Sequence, residues 1–136
     1  MRTIKYLVAH CTATSPKAKI TSILNYWKRH LGWRMPGYHF IVKPDGTYEQ
    51  LLDIARVSNG VYGFNRVSIH IAYIGGISRN GNPMDTRTPE QIATMRFLFE
   101  LHKEQFPEAI ILGHRDFPKV KKACPCYDAI KEYQDI

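Results

Sequence analysis

Two short apolar runs, Ile4 to Ala9 and Ala109 to Leu112, constrain this chain more than any other feature, because each leads into a histidine: His10 at once, and His114 after Gly113. The first run is nearly continuously apolar instead of alternating, the pattern of a strand buried on both faces and therefore central in its sheet. The second is a short buried strand of the same kind. In sheets flanked by helices, ligands collect where strands empty into loops. Both histidines sit at such ends, so the fold has to bring together residues that no short metal motif, such as His-Glu-x-x-His, links in sequence.

Between the two runs the pattern is readable element by element. Ile20, Ile23, Leu24, Trp27 and Leu31 follow helical spacing, with Lys28, Arg29 and His30 in the last turn and Gly32 as the stop. Tyr38 to Lys43 and Thr47 to Leu51 flank Pro44-Asp45-Gly46, a turn in which Pro fixes φ and Gly accepts φ > 0, which predicts a hairpin. Val67 to Ile74 is β-branched and aromatic and ends in Gly75-Gly76; Ser78 to Arg87 is a polar loop. Thr88-Pro89-Glu90-Gln91 supplies an N-cap, a proline at the first helical position and a Gln placed for a capping box, opening a helix that runs to about Gln105. A basic loop, Gly113 to Lys122, then delivers His114 at one end and Cys124 just beyond the other, and Asp128 to Tyr133 closes as a short helix. Interleaved strands and helices with one hairpin predict an α/β fold: a single domain over residues 1–136, with a central mixed β-sheet and helices packed on it.

With 44% hydrophobic and 23% charged residues in 136, the chain can bury one core and is not disordered. Nineteen basic against twelve acidic residues give +7, which favours a polyanionic partner: nucleic acid, anionic lipid, or a cell wall bearing carboxylates and phosphates. Three cysteines, two of them in Cys124-Pro125-Cys126, do not make a disulfide framework and point to synthesis in a reducing compartment. The apolar stretch after Met1-Arg2 is too short for a signal sequence, and no apolar run approaches the roughly 18 residues of a membrane span. A soluble protein, cytoplasmic as synthesised, is expected.

Residue types alone leave His10, His114 and Cys124 open to two readings. They are three ligands of the sort Zn²⁺ takes, with a fourth position free for water, or they are two strand-end histidines bonded to loop backbone and one buried thiol acting as a small hydrophobe. A resemblance adds weight to the first. His10-Cys-Thr-Ala-Thr, Gly37-Tyr-His-Phe-Ile-Val-Lys-Pro-Asp-Gly, Asn65-x-x-Ser68-Ile69, Gly75-Gly76, Gly113-His114 and Lys122-Ala-Cys124-Pro, in this order and at these spacings, resemble the zinc N-acetylmuramoyl-L-alanine amidases. That family holds the amidase-type phage lysozymes and, more distantly, the animal peptidoglycan recognition proteins. The similarity runs over essentially the whole chain.

The resemblance implies one catalytic Zn²⁺ held by His10, His114 and Cys124, with Tyr38 and Lys122 as catalytic residues. It implies hydrolysis of the amide between N-acetylmuramic acid and L-alanine in peptidoglycan or a muropeptide. Register against Ala123-Cys124-Pro125 selects Lys122 over Lys121. No glutamate is placed as a general base, and His39, on the opposite face of its strand from Tyr38, reads as structural. Trp27 reads as core, whereas Trp33, Arg34, Arg115 and Asp116 are weaker candidates for a substrate groove. Cys126 reads as a spare or redox-sensitive thiol.

The chain departs from the family pattern at two places. Relatives commonly show His-Ala or His-Thr where it has Gly60-Val61, and Ser-Ile-Gly where it has Ser68-Ile69-His70. His70 reads as a strand residue or a local replacement. These departures keep alive a non-catalytic peptidoglycan-binding module on the same fold. Nucleic-acid or polymerase binding ranks low, because the basic residues are scattered and no nucleic-acid motif occurs. A monomer is expected, acting on the wall after release or export by an unidentified route.

Overall fold

A computed structural model describes residues 2–136 of the chain. Its strands are β1 (Tyr6–Cys11), β2 (Phe40–Val42), β3 (Tyr48–Gln50), β4 (Ser68–Tyr73) and β5 (Ile110–Gly113). They form one sheet of order β3-β2-β4-β1-β5, in which only the β2–β3 hairpin is antiparallel. The sheet is mixed, as the sequence predicts, and the apolar first run supplies an inner strand. β1 starts two residues later than its apolar run and continues to Cys11, because β4 pairs with it as far as Cys11↔Tyr73. His10 therefore lies within the strand, 1% exposed, instead of beyond its end.

Alternation along β1 divides the core. Leu7 and Ala9 join Ile69 and Ile71 of β4 beneath Met95, Leu98 and Phe99 of the long helix α2 (Pro89–Gln105), with Tyr127, Ala129 and Tyr133 from the C-terminal segment closing that layer. On the other face Val8 and Leu112 pack with Val61 and Phe117, and Ile41 and Ile74 pack with Ile23 and Trp27 of the first helix. That helix, α1 (Ile20–Asn25), continues as a wider π-helical turn, Tyr26–His30, and stops at Gly32 with φ +68°. The expected apolar stripe is only half used: Ile23 and Trp27 are buried, but Leu24 and Leu31 are 37% and 43% exposed. The extra residue in the π turn shifts the phase of the face, so spacing that suits an α-helix no longer points Leu31 inward.

The capping box of α2 forms as expected and does more than cap. Thr88 Oγ1 accepts from the Gln91 N–H at 3.0 Å, and Gln91 Oε1 accepts from the Thr88 N–H at 3.0 Å. The remaining amide group of this fully buried side chain donates to the carbonyls of Val42 (3.2 Å) and Ile74 (3.1 Å), at the ends of β2 and β4. One residue thus satisfies a helix N-terminus and two strand ends. The C-terminal helix α3 (Ala129–Glu132), capped by Asp128, is tied to the loop before α2 through Arg87, whose guanidinium bonds Glu132 at 2.5 and 2.9 Å and lies 3.4 Å over the Tyr127 ring. Burial of its polar groups within ionic and aromatic partners makes this a fixed connection.

Two outcomes follow from these contacts. Gln91→Ala strips buried carbonyls and an N-cap of their partners and will cost about 2–4 kcal/mol in urea denaturation; Gln91→Glu, which keeps the cap but turns a carboxylate oxygen toward both buried carbonyls, will cost at least as much. His39, fully buried, is pushed down to about 4 by burial, its donation to the Arg56 carbonyl at 2.8 Å opposing this only partly. The unfolded chain therefore binds more protons between pH 6.5 and 4, so stability is full above that window and falls through it on acidification. Denaturation midpoints from pH 7 to pH 4 will show this fall, with a shallower slope in His39→Gln.

Candidate active site

Register places the site. Val8 pairs with His70 of β4 and Leu112 of β5, and side chains paired across parallel strands share a face. Two residues further, His10 and the residue after Gly113, His114, face the same way. The ring centroids of His10 and His114 are 4.9 Å apart, and those of His10 and His70 are also 4.9 Å apart. Cys124 reaches them from the far end of the basic loop. The Arg115 N–H donates to the Cys124 carbonyl (2.9 Å) and the Cys11 N–H to its sulfur (3.2 Å). The following Pro125 lies where a side chain on Gly113 would be, 2.7 Å from an ideal Cβ, so glycine is required there. The Asp116 carboxylate accepts from the Gly113 N–H at 2.8 Å and holds the turn that carries His114.

His10, His114 and Cys124 bring one ligand atom each to within 4.8 Å of one another, with His10 Nδ1 and Cys124 Sγ 3.8 Å apart. Burial pushes His10 well below the ordinary imidazole range, helped by the neighbouring His70, His114 and Lys122. Burial and then Lys122 bring His114 down to about 4. Both rings are therefore neutral at pH 7 and keep a lone pair. Zinc–nitrogen and zinc–sulfur bonds of tetrahedral sites set donor separations of about 3.5 Å. Two neutral imidazoles and a thiol at these spacings fit Zn²⁺ after a small closure. His10 and Cys124 are buried while His114 is half-buried, so the cluster is open on one side.

That side is a cleft of ≈ 690 Å³, lined in part by His10, His114, Cys124, Tyr38, Lys122 and Trp33. All five residues singled out for the site thus meet at one surface, and Lys121 is not among those lining it. The Tyr38 ring lies 5.0 Å from that of His10, and its hydroxyl donates to the Cys11 carbonyl at 3.1 Å. Burial raises its pKa well above the ordinary phenol value, so it stays protonated. Trp27 is core and also floors the cleft, with Trp33 stacked on it at 6.2 Å. An ideal Cβ at Gly37 would lie 3.0 Å from Trp27 and 3.3 Å from Trp33. Among the described residues no carboxylate side chain lines the cleft, and Arg34, Arg115 and Asp116 are not among its lining residues.

The sequence reading passed over one contact. His70 is fully buried, with Nδ1 2.8 Å from His10 Nε2 and Nε2 2.9 Å from Asn65 Oδ1. The available signal was parity: His70 lies on the same face as His10 once Val8 is opposite it, but that register is a property of the folded pair. Cys11 points to the opposite face, beneath α2. Its sulfur lies 3.9 Å from that of Cys126, and neither thiol belongs to the His10–His114–Cys124 cluster.

Comparison with known proteins identifies the family and the fold. The family described as N-acetylmuramoyl-L-alanine amidase matches residues 1–127. The endolysin of Klebsiella phage KP32 is 35% identical over 123 residues, covering 90% of this chain and 80% of that protein. In fold, the chain is similar to the Ph2119 endolysin from a Thermus scotoductus bacteriophage, with a TM-score of 0.81 at 23% identity over 98% of this chain and 86% of that one. It is also similar to bumblebee PGRP-SA, with a TM-score of 0.77 at 18% identity over 97% of this chain and 81% of that one. With a family match over residues 1–127 and a relative 35% identical over 90% of the sequence, the chain belongs to the N-acetylmuramoyl-L-alanine amidases.

Proposed function

We propose that the protein hydrolyses the amide between the lactyl group of N-acetylmuramic acid and L-alanine of the peptidoglycan stem, with one Zn²⁺ held by His10, His114 and Cys124. The observation that carries this reading is the convergence of those three donors at the floor of a cleft that also holds Lys122 and Tyr38. When bound, zinc supplies Lewis-acid polarisation of the scissile carbonyl and lowers the pKa of a water toward about 7.

The chain's own groups do the rest. Among the described residues Lys122 is the one lysine or arginine lining the cleft, and an ammonium there meets the oxyanion that develops when water adds to the carbonyl carbon. Tyr38 keeps its proton and is a donor, not a base. Its hydroxyl, now bonded to the Cys11 carbonyl, needs only a rotation to donate to the same oxygen. The carbon–nitrogen bond then breaks, giving a carboxylic acid on the sugar and a free amine on L-alanine, with the second water proton leaving on the amine. Trp33, half-exposed on the cleft wall, offers a flat apolar surface for a sugar ring. Relatives named endolysins support action on the cell wall after release from the cell that makes it. Among the described residues no helix is long and apolar enough to cross a membrane.

Mass spectrometry of a purified muramyl-peptide digested by zinc-loaded protein will show free muramic sugar and a peptide beginning at L-alanine. Intact substrate with zinc confirmed bound would instead favour a recognition module. Cys124→Ala will lose stoichiometric zinc, whereas Lys122→Ala will keep zinc and lose about 10²–10³-fold in kcat. Cys126→Ser, which removes a thiol outside the donor cluster, will retain both zinc and activity; loss of stoichiometric zinc in that variant would make Cys126 a ligand.

A further inference from the structure

We propose that Asn65 and His70 are positioning residues that fix the tautomer of His10, so that its Nδ1 lone pair is turned toward the metal position. The inference rests on the zinc reading above but is argued from hydrogen bonds that exist without the metal.

The chain of bonds begins at a group with no choice. The Val61 backbone N–H can only donate, and it meets Asn65 Oδ1 at 2.8 Å, which identifies that atom as the amide oxygen. The same oxygen lies 2.9 Å from His70 Nε2, so that nitrogen must carry a hydrogen. Full burial disfavours a charged His70 ring, so with its hydrogen on Nε2 the ring has a bare Nδ1, 2.8 Å from His10 Nε2. His10 must place its own hydrogen on Nε2 to donate there, which leaves Nδ1 bare and facing Cys124 Sγ at 3.8 Å. A backbone amide therefore sets the protonation of a ring two side chains away, and each step follows from the one before it. Metal-binding histidines commonly donate their second nitrogen to a partner that fixes orientation and tautomer. Here the partner is a second imidazole, itself fixed from behind.

Gly60 is part of the same device. An ideal Cβ on that residue would lie 2.2 Å from His70 Nδ1 and 2.4 Å from Cγ, so any side chain would collide with the ring. The two departures from the family pattern, Gly60 and His70, thus face one another: the space left by the small residue is filled by the large one. His70 is fully buried and does not line the cleft, so it acts through His10 and not on substrate.

The test is read on metal-free protein and on zinc binding, both independent of substrate. Long-range ¹⁵N–¹H NMR of the histidine rings in metal-free wild type will show His10 and His70 as Nε2–H tautomers. His70→Phe keeps bulk but removes the acceptor. In that variant His10 will become a tautomer mixture, and zinc affinity, measured by chelator competition, will fall about 10- to 100-fold. Asn65→Leu will give the same two changes and serves if His70→Phe does not fold. Nδ1–H on His10 in wild type, or zinc affinity within about twofold of wild type in folded Asn65→Leu, would overturn the proposal. A failed amidase assay would leave these readings untouched.

Discussion

Side-chain alternation along β1, held in register with β4 and β5, governs what this sheet can present. Residues 7, 9 and 11 point into the apolar layer under α2, and residues 8 and 10 point to the other face, where His70 and His114 also lie. A slip of one residue would bury His10 beneath α2 and turn Cys11 toward the cleft, exchanging a nitrogen donor for a sulfur and losing the contact with His70. The full pairing of β1 with β4, from Tyr6↔Ser68 to Cys11↔Tyr73, guards against that slip. The packing layer and the chemical layer are therefore specified by the same hydrogen-bond ladder.

The ladder is unequal on its two sides, and the inequality makes room for the third donor. β5 pairs with β1 only from Tyr6 to Ala9, whereas β4 continues to Cys11. Cys11 is thus left without a β5 partner, and Cys124 takes the vacated place. Its sulfur accepts from the Cys11 N–H, while the Cys11 carbonyl accepts from the Tyr38 hydroxyl. One residue's main chain ties a candidate ligand to a candidate catalytic phenol, which explains how a long-range site keeps its geometry without a disulfide.

Features set by neighbours in sequence were legible, and features set by neighbours in space were not. The α2 capping box and the Pro44-Asp45-Gly46 turn each depend on a few consecutive residues and formed where the pattern put them, and the two apolar runs formed strands whose bounds moved toward the C-terminus, to Tyr6–Cys11 and Ile110–Gly113. The candidate donors and Tyr38 and Lys122 were legible through resemblance, since apolar runs alone show strand ends and not their convergence. The phase change after Trp27 was hidden because a π turn carries no spacing signal of its own. His70 was hidden for another reason. A histidine inside a strand reads as core, and only pairing with Val8 shows which ring it touches.

Charge at the site follows from the same geometry. Burial does most of the work of keeping His10 and His114 neutral, and Lys122 adds to it at both rings. A cation beside these candidate ligands disfavours proton binding there, which leaves lone pairs available. The same cation faces the cleft, where an oxyanion would develop. Lys122 can serve both ends because the loop that carries it begins at His114 and ends at Cys124, so its position is set from two anchored residues. A basic loop of this kind, on a chain of net charge +7, is more than a general attraction for an anionic wall. It holds one ammonium at the cleft while the two candidate imidazole donors stay uncharged.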